Sequence, residues 1–112
     1  MYVKPAPSYA PVYCALYPMM AKVAREHGYA LAIHGSMQRD FDLIAVPWIE
    51  EPLAPARLVE ALTTGFALHV TRHDPVEKLH GRIAYTLSIG FGEAQLDLSF
   101  MPRASRGAGD GR

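Results

Sequence analysis

One cysteine, Cys14, and one tryptophan, Trp48, are all that this chain of 112 residues has of either. A lone thiol excludes an internal disulfide and fits a reducing compartment. With no acid–base neighbours in sequence, Cys14 is expected to be a core thiol. An excess of either charge is missing too: 11 Lys and Arg balance 11 Asp and Glu. No overall field therefore draws the chain to nucleic acid or to an acidic membrane. The balance is uneven along the chain, with ten acids and eight bases over residues 1–101, then Arg103, Arg106 and Arg112 against Asp110. Long apolar runs are absent, none approaching the roughly 20 residues that span a bilayer. The opening "MYVKPAPSYAP" holds no apolar signal core. A cytoplasmic protein without a membrane partner is the expectation.

What is present fits one domain. Half of the residues are hydrophobic and a fifth charged, an ordinary globular balance for a chain of this size. Three prolines in "KPAPSYAP" predict an extended segment over residues 1–11. After Pro102, "RASRGAGDGR" offers nothing apolar beyond alanine and predicts a disordered tail over 102–112. The folded unit is then residues 12–101. "YPMMAKVAREHGYA" reads as a helix opening near Pro18, with Met19, Met20, Val23 and Ala24 as its stripe and Gly28 as its stop. "YALAIH" (29–34) reads as a short buried strand and "DFDLIAVPW" (40–48) as a second. "APARLVEALTTGFAL" (54–68) predicts a helix with Leu58, Val59, Leu62 and Phe66 inward. Residues 73–81 read as a polar loop, and "RIAYTLSIGFGEAQLDLSFMP" as two alternating strands around a turn at Gly90–Glu93. The order implies an α/β (α+β) fold: a mixed sheet of about four strands with two main helices on one face.

The chemistry gathers in "HGSMQRDFDLIAVPW" (34–48). Asp40 and Asp42 stand one residue apart at the mouth of an apolar strand, so the period of two aims both at one face. Carboxylates resist burial without a partner. Oxygen-only ligands suit Mg²⁺ or Mn²⁺, which rely on a few carboxylates together with substrate phosphates. Asp97, in "QLDLS", is the strand acid available to complete such a site. The plain structural account is also open: Asp40 caps a turn after Arg39, and Asp42 is solvated at a strand end. Gly35-Ser36 adds a turn whose backbone N–H groups and hydroxyl can approach an anion closely.

Together, "HGSMQRDFDLIAV" and "QLDLS" resemble the signature of the nucleotidyltransferase superfamily, the polymerase-β-like fold. The resemblance implies that Gly35 and Ser36 bind a nucleoside triphosphate. It implies that Asp40 and Asp42 bind Mg²⁺ (or Mn²⁺) and that Asp97 completes the catalytic set. Arg39 and Arg82 are further candidates for the nucleotide's phosphates; Arg39 is equally placed to form a salt bridge that quiets the acid pair, and for Arg82 a strand-end charge is the default account. Only Met37, Gln38 and Arg39 separate Ser36 from Asp40, a shorter segment than the family places there. "SMQRDFDLIAVPW" is also similar to small phage and prophage proteins. Two functions follow as expectations. One is a minimal nucleotidyltransferase acting on NTP and a hydroxyl of a protein, nucleic acid or small molecule; the other is a non-catalytic, phage-derived interaction protein that binds a host protein. Among the remaining residues, His69, His73 and His80 are expected to be solvated loop histidines, His34 a hydrogen-bonded structural one, and Trp48 a core or interface anchor.

Overall fold

The computed structural model describes residues 8–70, 76–90 and 94–102. The expected extended segment at 1–7, the centre of the predicted turn at 91–93, His73 and the tail beyond Pro102 lie outside the described residues. Helix α1 (Ala10–Glu26) is followed by β1 (Tyr29–His34) and β2 (Asp40–Pro47), then by α2 (Pro55–Phe66). Two short strands, β3 (His69–Val70) and β4 (Val76–Glu77), lead through a 3₁₀ turn (Leu79–Gly81) to β5 (Ile83–Ser88) and β6 (Gln95–Phe100).

Among the described residues the sheet has six strands, against the four expected, because β3 and β4 are too short to leave a periodic signal. Both pair antiparallel with β5, β4 at its start and β3 at its end. The main path runs β1-β2-β6-β5: β1 is antiparallel to β2, β2 parallel to β6, and β6 antiparallel to β5. Part of the expected polar loop at 73–81 is therefore strand and 3₁₀ turn.

Alternation decides what each face becomes. Tyr29, Leu31, Phe41, Leu43, Tyr85, Leu87, Leu96, Leu98 and Phe100 fall on one face and are buried, with Met20 and Ala24 of α1 and Leu58, Val59 and Leu62 of α2 above them. Both helices thus cover one side of an α+β fold. Among the described residues, no helix lies on the opposite side of the sheet. Strand β1, expected to be buried, is an edge strand in which only Tyr29 and Leu31 are inside.

Helix α1 begins eight residues before its expected start, so residues 10 and 11 belong to it and Pro18 sits in its interior. Pro11 occupies the first turn, where its missing N–H costs nothing. An interior proline costs about 3 kcal/mol. Burying Tyr13, with its ring stacked on Phe41 at 4.8 Å, offsets it, at about 1.5–3 kcal/mol for burial and 0.5–1.5 for the ring pair. Met19, expected in the core, is half-exposed, and Cys14 is an exposed thiol on the outer side of this helix. Gly28 ends the turn after α1 with φ +92°, and a Cβ there would lie 2.7 Å from Pro52 Cα, so glycine is required for α1 to pass close beneath the β2–α2 connection. Among the described residues, no helix is long and apolar enough to cross a membrane.

Candidate active site

Asp40 and Asp42 alternate with the buried Phe41 and Leu43, and Asp97 sits between the buried Leu96 and Leu98. All three acids therefore stand on the helix-free face. Register sets their order. Asp42 lies directly across from Asp97 in the parallel β2–β6 pair, His34 flanks Asp42 on β1, and Thr86 flanks Asp97 on β5. The result is a row, His34–Asp42–Asp97–Thr86, that crosses four strands. Asp40 stands one pleat away, opposite Gln95.

Neighbouring strands are about 4.8 Å apart, so the Asp42 and Asp97 carboxyls share one small space. They hydrogen-bond to each other, and the Thr86 hydroxyl donates to Asp97. Partial burial, joined by the charges of Asp40 and Asp42, pushes the Asp97 pKa up to about 6. Below that pH Asp97 carries a proton and donates it to Asp42. Among the described residues, no three acidic, histidine or cysteine side chains surround a common metal position as they stand.

Gly35 shapes the other side of Asp42. It has φ +78°, and a Cβ there would lie 2.6 Å from Asp42 Oδ2, so only glycine lets the turn sit against the carboxylate. The Ser36 hydroxyl accepts a bond from the Gln38 N–H at 3.2 Å and keeps its own proton to donate. Residues 35–39 form no helix, and Met37 adopts φ 62°, as the short Ser36–Asp40 connection requires.

Tyr13 braces the floor. Its hydroxyl donates to the Arg39 carbonyl and accepts the Gln95 N–H at 3.3 Å, tying the starts of β2 and β6 together beneath Asp40 and Asp97. Burial pushes the Tyr13 pKa up; the bond at Gln95 opposes this and the Asp40 charge adds to it. The phenol thus keeps its proton.

An open cleft of about 410 Å³ adjoins Asp42 and Asp97, with His34, Thr86 and Ser99 along it and Lys78 and Arg82 on its far wall. Arg82 thus reaches the polar face, as its position at the start of β5 suggests. Gly35, Ser36, Arg39 and Asp40 do not line this cleft. His34, expected to be a hydrogen-bonded structural histidine, is exposed beside Asp42. Trp48 is 59% exposed and no part of the core. His69 and His80 are exposed and lie on β3 and in the 3₁₀ turn. Sequence reasoning missed Lys78, Thr86 and Ser99; the alternation of Thr86 with Tyr85 and Leu87 marks its face, but nothing local marks its partner.

No protein-family model and no curated protein matches the chain. The functional reading rests on the residues themselves.

Proposed function

We propose that this is a minimal nucleotidyltransferase-like domain that transfers a nucleoside monophosphate from NTP to a hydroxyl acceptor. Asp40, Asp42 and Asp97 would hold Mg²⁺ or Mn²⁺. The observation that supports this is the Asp42–Asp97 pair, directly opposed on neighbouring strands with Asp40 one pleat away. Like charges so placed destabilise a sheet, so stability does not account for them. A divalent cation would offset that charge, and an all-carboxylate oxygen set suits these two ions. When bound, such an ion neutralises charge that develops on the phosphoryl oxygens.

The chain's own groups have distinct tasks in this reading. The Gly35 turn and the Ser36 hydroxyl hold the triphosphate on the β1 side of Asp42, and Arg39 is the cationic residue nearest that turn in sequence. Asp97, oriented by the Thr86 hydroxyl, takes the proton of the attacking hydroxyl as the new P–O bond forms and pyrophosphate leaves. The alternative, an interaction protein of phage origin that keeps the fold and binds a host protein, is favoured by one feature. Val46, Trp48, Ile49 and Leu53 form an exposed apolar stretch on and just after β2.

Thermal melting with Mn²⁺ and a non-hydrolysable NTP separates the two readings. A ligand that binds only the folded chain raises stability by about 2.7 kcal/mol at a hundredfold excess over its Kd. The transferase reading expects such a rise, reduced or abolished in Asp42→Asn. An unchanged melting curve with both ligands favours the interaction protein.

A further inference from the structure

Two cations line the same cleft as the acid pair. Strand β4 is antiparallel to β5 with Val76 opposite Ala84 and Glu77 opposite Ile83. The next pair along is Lys78 with Arg82, and the Lys78 N–H donates to the Arg82 carbonyl at 2.7 Å. Both side chains line the cleft. Like charges on directly opposed strand residues repel, as Asp42 and Asp97 do. Neither cation has a carboxylate partner among the described residues. The cleft is therefore bipolar: two carboxyls on β2 and β6, two cations just after β4 and just before β5 with no carboxylate partner among the described residues, and the hydroxyls of Ser99 and Thr86 between them.

We infer that Lys78 and Arg82 form a seat for a phosphoryl group, and that this group belongs to the acceptor. A guanidinium beside an ammonium matches a phosphate, the first by paired N–H bonds and the second as a point charge. Such a group has two sources, the nucleotide's own phosphate tail or a phosphate carried by the acceptor. The assignment to the acceptor rests on the transferase reading above. In-line displacement places the attacking hydroxyl and the leaving pyrophosphate on opposite sides of the reacting phosphorus. Gly35 and Ser36, which hold the tail in that reading, follow β1 on one side of Asp42. The cleft runs from His34 and Asp42 past Asp97, and its cationic end, Lys78 and Arg82, lies on the β5 side of Asp97, away from β1. The acceptor class is thus a phosphorylated alcohol, held by its phosphate at the β4–β5 wall with its hydroxyl towards Asp97.

Titration of the full chain with inorganic phosphate, free of metal and followed by backbone amide resonances, tests the seat. Saturable shifts are expected at Lys78, Arg82 and Thr86, with affinity about tenfold weaker in the Lys78→Gln/Arg82→Gln double variant. Lys78→Gln alone, at an exposed position, serves if the double variant does not fold, with about threefold weakening expected. No saturable shift at these residues, or equal affinity in the variant, overturns the seat. Repeating the titration with saturating Mn²⁺ and a non-hydrolysable NTP tests the source. Phosphate that still binds supports the acceptor. Phosphate displaced by nucleotide overturns that assignment and gives the seat to the nucleotide's tail. If Mn²⁺ and NTP do not bind at all, the transferase reading and the acceptor assignment fall together, while the metal-free titration decides the seat.

Discussion

Asp97 makes the site readable by pH. Its native pKa, about 6, lies above the usual 3.8, so between those values the folded state holds a proton that the unfolded chain has lost. The contribution of the protonated Asp97–Asp42 bond is complete below about pH 4 and is lost as pH rises through 6. In EDTA, the wild-type melting temperature should lose this contribution across that window, and Asp97→Asn should flatten the profile there. Mn²⁺ competes with the same proton, so its stabilising effect should be weaker at pH 5 than at pH 7.5. At pH 7.5 Asp97 has lost that proton and faces Asp42 as a like charge. Asp42→Asn then removes a like-charge pair, for a gain of about 0.2–1 kcal/mol in EDTA and a rise of a few degrees in melting temperature. A clear fall would mean that Asp42 is held by donors and braces the fold. The face on which these acids stand was legible in the sequence: the spacing of Asp40 and Asp42 fixes a shared face, and Asp97 between two leucines fixes its own. That Asp97 faces Asp42 and not Asp40 was not legible, because register between strands distant in sequence leaves no local mark.

Helix α1 shows where local rules give way at the scale of an element. Pro18 and the prolines before it place the start of the helix in the wrong turn, because their signal is local and the burial of Tyr13 is not. Pro18 lies on the exposed side, where water can satisfy the carbonyl it leaves unpaired. Tyr13 then does two things, filling the core against Phe41 and bonding to both parallel strand starts. Tyr13→Phe keeps the ring and strips the hydroxyl, leaving the Arg39 carbonyl and the Gln95 N–H to find other partners. A loss of about 1–3 kcal/mol follows for each buried group left unsatisfied, which thermal or urea unfolding will measure. If the brace positions the acids, the variant should also bind Mn²⁺ more weakly under conditions where it is fully folded. A variant with lowered stability and unchanged Mn²⁺ affinity would confine Tyr13 to the core. The short strands β3 and β4 were illegible for a different reason: two residues cannot display a period, and only the partner strand β5 makes them strands.

For the molecule as a whole, the sheet divides structure from chemistry by parity. One face is closed by two helices, the other carries rows of polar side chains from strand to strand, and both follow from the same alternation. The parallel contact between β2 and β6 has a consequence in time. Every other pairing along the main path joins strands that are consecutive or linked by a turn, whereas this one closes a loop containing α2 and β3–β5. Loop-closure entropy must be met before such a contact contributes. The β1–β2 and β5–β6 hairpins can therefore form while Asp42 and Asp97 are still far apart. The acids meet only when the two halves dock, so the chain folds its scaffold without like-charge opposition and meets that repulsion last. A cation present during folding acts on that final docking step, not on the hairpins that precede it.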